Sequence, residues 1–242
     1  MAAVEDTHWW YHALHDLIAD AVATHAPSDS GRILDAGCGT GAVLKRVETF
    51  GQAVGVDLSD DALGFCRARG LRDLVRGDVN ALPFASESFE TVISSSVLYH
   101  QWVTDVAAAL RDLRRVLKPG GRLVLNLPAY TFLRSPHDDA VLTARRFRKT
   151  EVRRLLEGCG FRVERITYWT TLLFPAALIA RTLGASSTGQ DFDAAGGATF
   201  RNRLLSTVMA IELALVRRLP MPFGVAIFAV AERAAAADRL AR

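Results

Sequence analysis

Residues 33–41 read Ile-Leu-Asp-Ala-Gly-Cys-Gly-Thr-Gly, and this stretch decides the fold of the chain. A short apolar run precedes the glycines, and residues 42–50 follow them with the spacing of an amphipathic helix. Glycines let the backbone turn sharply and approach a ligand closely. The first turn of a helix offers unpaired N–H groups to that ligand. The stretch therefore predicts a strand, a tight ligand-binding turn and a helix.

The same loop also fits a nucleotide-binding pattern. Gly37-x-Gly39-x-x-Ala42 matches the dinucleotide motif, in which alanine is allowed at the last position. Asp57 follows about twenty residues after the first glycine, at the end of the next predicted strand, where a ribose would lie. These residues predict a ligand that contains adenosine. By themselves they do not separate a nicotinamide cofactor from another nucleoside.

Three carboxylates favour a cationic ligand. Asp35 lies just before the first glycine, Asp57 ends the second predicted strand, and Asp78 follows the third. Because the carboxyl ends of parallel strands meet at one edge of a sheet, we expect these side chains to surround one crevice. An anion at the mouth of the loop repels a pyrophosphate and attracts positive charge. S-adenosylmethionine has the hydroxyls, the amino group and the sulfonium that suit such a crevice.

The rest of the chain alternates short apolar runs with amphipathic stretches. Predicted strands are 32–36, 53–58, 74–77, 90–97, 122–127, 161–169 and 225–230, and predicted helices are 42–50, 60–69, 106–117, 150–157 and 204–218. This alternation predicts an α/β sandwich of three layers with a mostly parallel sheet. About fifty residues separate the last two strands, too few for a core of their own, so we expect a helical insertion over 170–220. Residues 1–242 are predicted to form a single domain.

Composition excludes several classes of protein. The chain has 242 residues, of which 50% are hydrophobic and 23% charged, so an ordered core is expected. A net charge of +3 gives no reason to predict binding of nucleic acid. Cys38, Cys66 and Cys159 are too few and too scattered for a disulfide framework or a zinc site, which predicts no metal and a reducing, cytoplasmic compartment. Neither a signal peptide nor a transmembrane segment is expected.

Five sequence blocks resemble those of the class I S-adenosylmethionine-dependent methyltransferases. Beside residues 33–41, they are Val-Gly-Val-Asp-Leu-Ser (54–59), Gly-Asp-Val-Asn-Ala-Leu-Pro-Phe (77–84), Ser-Phe-Glu-Thr-Val-Ile (88–93) and Leu-Lys-Pro-Gly-Gly-Arg-Leu (117–123). The resemblance covers roughly residues 32–169 and is specific because five blocks occur in order at this spacing. It implies a Rossmann-like sheet of seven strands in the order 3-2-1-4-5-7-6, with strand 7 antiparallel.

The resemblance also implies a cofactor site for S-adenosyl-L-methionine. The glycine loop would lie against the methionine part of the cofactor, with Asp35 near the ammonium group. Asp57 would bind the ribose hydroxyls and Asp78 the adenine amino group, while Ser94 and Ser95 would lie near the reactive methyl. The cofactor-binding residues implied in this way are Asp35, Gly37, Cys38, Gly39, Asp57, Leu58, Asp78, Val79, Ser94 and Ser95.

Two histidines are the predicted catalytic bases. Methyl transfer is an in-line displacement in which positioning supplies much of the catalysis, but an oxygen or nitrogen acceptor must also lose a proton. His100 follows the fourth predicted strand, where a hydrogen bond to a backbone carbonyl is its structural alternative. His137 lies in Ser-Pro-His-Asp-Asp (135–139) after the fifth strand, where it acts as a base or anchors the loop.

The N-terminal segment 1–30 is predicted to be a helical lid. Its sequence His-Trp-Trp-Tyr (8–11) resembles the first helix of a methyltransferase subgroup that shares a His-Asp pair after strand five and an Arg-Arg-aromatic run. Neighbouring helical positions point about 100° apart, so Trp9 and Trp10 face different surroundings. The predicted acceptor-binding residues are Trp10, Tyr11, Tyr99, Tyr130 and Arg146.

The sequence therefore predicts methyl transfer to an oxygen, nitrogen or carbon of a small-molecule acceptor, such as a natural product, a sugar or a lipid-linked compound. Two other functions stay open: an S-adenosylmethionine-binding protein that transfers nothing, and an NAD-dependent oxidoreductase. The block at 117–123 and the lack of a Tyr-x-x-x-Lys dyad disfavour the oxidoreductase. The protein is expected to be a monomer or homodimer, and the apolar segments 172–183 and 204–216 allow peripheral contact with a membrane.

Overall fold

Seven strands form one mixed sheet. They are β1 (Arg32–Ala36), β2 (Gln52–Asp57), β3 (Leu74–Arg76), β4 (Phe89–Ser95), β5 (Leu117–Pro128), β6 (Phe161–Trp169) and β7 (Ala226–Arg233). Their order is β3-β2-β1-β4-β5-β7-β6, and β7 runs antiparallel to both of its neighbours. This computed structural model describes residues 5–25, 31–182 and 200–234. The predicted order and the antiparallel seventh strand are confirmed.

Eight helices are described. They are α1 (Trp9–His25), α2 (Ala42–Val47), α3 (Asp60–Ala68), α4 (Val106–Val116), α5 (Pro136–Ala140), α6 (Lys149–Gly158), α7 (Phe174–Thr182) and α8 (Phe200–Arg218). Polar caps explain where two of them begin. The Ser59 side chain accepts a hydrogen bond from the Ala62 N–H, and the Asp105 side chain accepts one from the Ala108 N–H. Each cap satisfies a donor that the first helical turn leaves free.

Helices cover both faces of the sheet, because successive side chains of a strand point to opposite sides. On one face, Ile93 of β4 belongs to a buried cluster with Leu17 of α1 and Met209 of α8. On the other face, the adjacent Val92 belongs to a cluster with Leu113 of α4. The predicted sandwich of three layers is therefore confirmed.

The largest boundary difference concerns β5, which was predicted over 122–127. The strand begins at Leu117, because this residue pairs with Phe89 before a register shift brings Arg122 opposite Thr91. The Lys-Pro-Gly-Gly turn thus lies inside the paired segment. Helix α2 is also shorter than predicted, and its last part is a separate 3₁₀ turn over Glu48–Phe50.

The insertion between β6 and β7 is helical, as predicted. Helix α8 begins at Phe200, earlier than the predicted start at residue 204. Most of the predicted loop over 184–202, namely residues 184–199, lies outside the described residues. No helix of the described residues combines the length and the apolar character that a membrane span needs. The single-domain boundary stays a prediction.

Helix α8 is fastened to the sheet by its buried face. Met209, Leu213 and Val216 are buried, and the fully buried Glu212 carboxylate accepts a hydrogen bond of 2.9 Å from the Leu172 N–H. Leu204 and Ile211, which belong to the apolar segment 204–216 noted in the sequence, lie instead on the exposed side of the helix.

Candidate active site

The glycine loop connects β1 to α2. Gly37, Gly39 and Gly41 have φ angles of 85°, 53° and 82°, a region that side chains rarely adopt. A Cβ atom on Gly37 would lie 2.3 Å from a methyl carbon of Val97. Glycine is therefore needed here both for the positive φ and because Val97 leaves no room for a side chain. The loop is held in place because the Gly37 N–H donates to the Val56 carbonyl at 2.8 Å.

A cavity of about 590 Å³ opens beside this loop at the carboxyl edge of β1, β2 and β4. Its size lies within the usual range for small-molecule and cofactor sites. Ligands of open α/β sheets bind in crevices at this edge. The cavity brings together nine of the ten predicted cofactor residues, namely Asp35, Gly37, Cys38, Gly39, Asp57, Leu58, Asp78, Val79 and Ser95.

Ser94 is the one predicted cofactor residue that lies outside the cavity. Side chains alternate along β4, so Ser95 faces the cavity and Ser94 is fully buried, with a hydroxyl that has no hydrogen-bond partner among the described residues. Ser96, which the sequence analysis missed, lines the cavity at a φ of 61°. Its N–H donates to the Asn126 carbonyl at 3.0 Å, and its hydroxyl accepts from Asn126 Nδ2 at 3.3 Å.

The glycine end of the cavity is negatively charged. Burial, followed by the charges of Asp57 and Glu5, raises the pKa of Asp35 to about 7. Asp57 bridges the loop, because its two carboxylate oxygens accept hydrogen bonds of 2.9 Å from the N–H groups of Gly39 and Ser59. A cation that binds among clustered carboxylates reduces the electrostatic repulsion between them.

The third predicted carboxylate, Asp78, lies beyond β3. Its Oδ1 accepts hydrogen bonds from the Asn80 N–H at 2.9 Å and from Asn80 Nδ2 at 2.8 Å. The same amide donates to the Trp102 carbonyl at 3.0 Å. Asn80 therefore orients Asp78 and ties this wall of the cavity to the aromatic wall that follows β4.

The N-terminal helix contributes Trp10 and Tyr11 to the cavity wall, as predicted for acceptor-binding residues. Trp10 stacks on Trp169 with ring centroids 5.2 Å apart, and its Nε1 donates to the Thr170 hydroxyl at 3.2 Å. Trp169 in turn donates from Nε1 to Asn126 Oδ1 at 2.9 Å. A continuous chain of contacts thus joins helix α1 to the residues that follow β4.

A second attachment lies at the start of the chain. The Arg69 guanidinium pairs with Asp6 at 2.7 Å, and its Nε donates to the Thr40 carbonyl of the glycine loop at 2.9 Å. Glu5 hydrogen-bonds the Thr40 hydroxyl and also lines the cavity. The segment before α1 therefore borders the cavity and is attached to the glycine loop through Thr40 and Arg69.

His100 lines the cavity beside an aromatic wall. Its ring stacks on Trp102 with centroids 4.4 Å apart and planes 16° apart. Burial lowers the pKa of His100, so the ring is neutral near pH 7. Its Nδ1 is buried without a hydrogen-bond partner among the described residues. Tyr99, a predicted acceptor-binding residue, also lines the cavity.

Two predicted acceptor-binding residues lie outside the cavity. Arg146 is buried in a bidentate ion pair with Asp138, at 2.8 and 3.0 Å. Burial alone would raise the pKa of Asp138, but the ion pair outweighs burial and keeps that pKa below its usual value. Tyr130 packs away from the cavity, on the ring of Tyr168, with centroids 4.9 Å apart. Neither side chain lines the cavity, and contact of these two residues with an acceptor stays a prediction.

The ion pair has a different use, because it closes the loop that follows β5. Within this loop the Ala144 N–H donates to the Tyr99 carbonyl at 2.8 Å, and Val141 lines the cavity. The backbone of His137 lies in α5, and its side chain is outside the described part of the structure. No group of three or more His, Cys, Asp or Glu side chains suited to a metal ion occurs among the described residues.

Comparisons with known proteins agree with the fold. Residues 34–125 match the profile of a methyltransferase domain family. The chain is 41% identical over 102 residues to a malonyl-[acyl-carrier protein] O-methyltransferase of Erwinia pyrifoliae, covering 41% of this chain and 38% of the relative. It is 38% identical over 128 residues to a demethylmenaquinone methyltransferase of Roseiflexus, covering 49% of this chain and 53% of the relative.

A similar fold occurs in the crystal structure of an S-adenosylmethionine-dependent methyltransferase from Mesorhizobium loti. The TM-score is 0.60 at 20% identity, with 95% of this chain and 100% of that chain covered. Residues 34–125 thus match a methyltransferase domain family, and the chain shares the fold of that structure. The chain spans only part of the length of these two curated relatives, 38% of the first and 53% of the second.

Proposed function

We propose that this chain is an S-adenosylmethionine-dependent methyltransferase that acts on a small-molecule acceptor. The observation that carries the proposal is the cluster of Asp35, Asp57 and Glu5 around the glycine loop. Burial, followed by the charges of Asp57 and Glu5, raises the pKa of Asp35 to about 7. A cationic cofactor that binds here offsets the repulsion among the three carboxylates. An NAD pyrophosphate at the same place would add negative charge, which disfavours the oxidoreductase.

The residues present fit the cofactor in a definite orientation. In our proposal Asp35 receives the ammonium group, Asp57 the ribose hydroxyls and Asp78 the adenine amino group. Gly37 and Gly39 offer backbone without side chains for close approach. When bound, S-adenosylmethionine supplies an electrophilic methyl group.

His100 is the base that we propose for acceptors that must lose a proton. Its Nδ1 has no hydrogen-bond partner in the part of the chain that the structure describes, the ring is neutral because burial lowers its pKa, and it lines the cavity. The Trp102 face, which is stacked on the ring, stabilises the cation that forms when the proton arrives. Replacing such a base typically lowers the rate by about 10²–10⁴-fold. His137 stays an alternative.

The acceptor side of the cavity is aromatic. Trp10, Tyr11, Tyr99 and Trp102 line it, which suits a flat or apolar acceptor. Two relatives are named for malonyl-[acyl-carrier protein] and for demethylmenaquinone, so a carboxylate and a quinone are the first acceptors to assay. We further propose that residues 1–30 and the 170–220 insertion form the lid, and that the protein works in the cytoplasm.

Calorimetry and turnover together test the proposal. We expect S-adenosylmethionine to bind and NAD not to bind. We also expect His100→Ala to keep the cofactor affinity while slowing methyl transfer to whichever acceptor is found. Tight binding of NAD, with none of S-adenosylmethionine, would overturn the assignment. Cofactor binding without transfer to any acceptor of a broad panel would favour the non-catalytic binding protein.

A further inference from the structure

Exposed apolar side chains gather at one part of the sheet edge. Phe132, Leu172, Leu219 and Phe223 are exposed to 59%, 42%, 57% and 41%. They lie in the segments that follow β5 and β6 and that precede β7. Because Ala226, the first residue of β7, pairs with the last residues of β5 and β6, these segments meet at the carboxyl edge. We call these four side chains the edge surface.

The edge surface rests on a packed array of aromatic rings. Phe132 stacks on Tyr130, with centroids 5.0 Å apart, and Tyr130 stacks on Tyr168. Phe174 lies 6.0 Å from the Tyr130 ring and 5.3 Å from the Phe223 ring. The packed rings restrict the exposed side chains before any partner binds, so less conformational entropy is lost on binding.

Positive charge borders the edge surface. Arg148 caps helix α6 and Lys149 is its first residue, with Lys149 Nζ 5.3 Å from the centroid of the Tyr168 ring, and Arg218 precedes Leu219. Among the described residues, none of these three side chains forms an ion pair. Nearby carboxylates are engaged elsewhere: Glu151 pairs with Arg145, and Asp139 pairs with Arg134.

We propose that the edge surface docks onto an anionic lipid bilayer. Phe132, Leu172, Leu219 and Phe223 enter the boundary between headgroups and acyl chains, while the three cations contact lipid phosphates. Apolar and cationic side chains on one surface give the two terms that drive peripheral binding, namely apolar burial and attraction to anionic lipid. The aromatic array supports the apolar part of the edge surface. Because the cations would repel a second copy of the same cationic face, the partner that fits this surface is an anionic bilayer.

The inference goes beyond methyl transfer, but it concerns the same edge of the sheet. The cofactor cavity opens at β1, β2 and β4, and the edge surface lies at β5, β6 and β7. A protein docked in this way holds its cavity beside the membrane. Together with the proposed function, this makes a lipid-soluble acceptor the expected substrate class.

Vesicle flotation of the full chain tests the inference. One set of vesicles is phosphatidylcholine alone and the other contains phosphatidylglycerol as well. We expect binding to the anionic vesicles that weakens as salt is raised. Arg148→Gln with Lys149→Gln should weaken partitioning about 30-fold, since each basic residue near an anionic surface contributes about 1 kcal/mol. Phe132→Ser with Phe223→Ser should abolish flotation.

Phe65→Ser is the matched control, because Phe65 is 50% exposed on α3, away from the edge surface. It should leave flotation unchanged. The inference is overturned if the wild type does not float, if the control and the double Phe variant behave alike, or if light scattering shows a dimer that the double Phe variant dissociates. Cofactor affinity, measured on every variant, keeps the two proposals apart: a chain that binds the cofactor but does not float contradicts only the docking.

Discussion

The two halves of the carboxyl edge differ in where their side chains come from. In the half formed by β1, β2 and β4, Asp57 is the last residue of β2 and accepts hydrogen bonds from two backbone N–H groups, while Asp35 is the last but one residue of β1, just before the glycine loop. In the half formed by β5, β6 and β7, the rings of Tyr130, Phe174 and Phe223 come from three separate segments. The cofactor side therefore depends on backbone shape, whereas the other side depends on packing between distant parts of the chain.

Gly37→Ala should have the largest effect on the cofactor half. The new Cβ would meet a methyl group of Val97 at 2.3 Å and would sit at a φ of 85°, so the loop or the Val97 side chain must move. Strain and overpacking each cost about 1–3 kcal/mol, which predicts roughly a 100-fold or greater loss of cofactor affinity. Calorimetry measures it. Gly64→Ala, in the open middle of α3, is the control and should keep or raise stability.

Asp57→Ala should weaken cofactor binding while the protein stays folded. It removes hydrogen bonds to a ligand, worth about 1.5–3 kcal/mol when one partner is charged, or about 10–150-fold in affinity. Asp60→Ala, which removes an exposed carboxylate paired with Arg76, is the control. An unchanged affinity in the Asp57 variant would show that the ribose lies elsewhere. The carboxylate at the end of β2 would then not distinguish the cofactor half from the other half.

Deleting residues 1–12 examines the contact between the halves, since Trp10 lines the cavity and stacks on Trp169. We expect turnover to fall roughly tenfold or more, because a lid excludes water and fixes the acceptor. Cofactor affinity should change much less. Equal losses in both quantities would mean that the segment belongs to the cofactor site rather than to an acceptor lid.

The pH dependence of cofactor affinity should follow Asp35. The pKa of Asp35 is about 7 in the folded protein, against 3.8 for an ordinary aspartate. Because the folded protein holds this proton more tightly than the unfolded chain does, the free energy of unfolding should fall as the pH rises from about 4 to 7. A cationic cofactor favours the ionised form, so affinity should rise by up to about tenfold per pH unit below the pKa. Asp35→Asn should flatten both profiles. A steep profile in that variant would assign the proton to another group.

Asp6→Ala should have the smallest effect. It removes the ion pair with Arg69, and pairs of this exposure contribute about 0.2–1 kcal/mol, so cofactor release should quicken by at most about fivefold. Stopped-flow measurement at low and high salt checks this, because the wild type should approach the variant as salt screens the pair. A large change would mean that the N-terminal segment governs the cofactor half as strongly as the glycine loop does.

Sequence reasoning was most successful where function and backbone shape coincide. The residues of the loop, Asp35 and Asp57 are recognisable because a turn that needs glycine and a carboxylate at a strand end leave local signals. Nine predicted cofactor residues consequently line one cavity. The strand order followed from the resemblance, and the sheet has that order.

Sequence reasoning was less successful where a side chain had a choice of partners. Arg146 has the chemistry of a ligand-binding residue, but Asp138 captures it in a buried pair. Ser94 and Ser95 are identical in sequence terms, and only the packing of β4 between helix layers decides which one faces the cavity. Ser96 was missed because nothing local marks a serine at positive φ, which Asn126 helps to hold.

The sequence by itself determined the alternation of strands and helices, the glycine loop and the carboxylates, because each depends on residues close together in the chain. Only the tertiary structure brings Trp10 onto Trp169, stacks Tyr130 on Tyr168 and leaves Leu204 of α8 exposed. These contacts join residues far apart in the chain. Their free energy depends on which surfaces the sheet brings together, and no local pattern of residues carries that information.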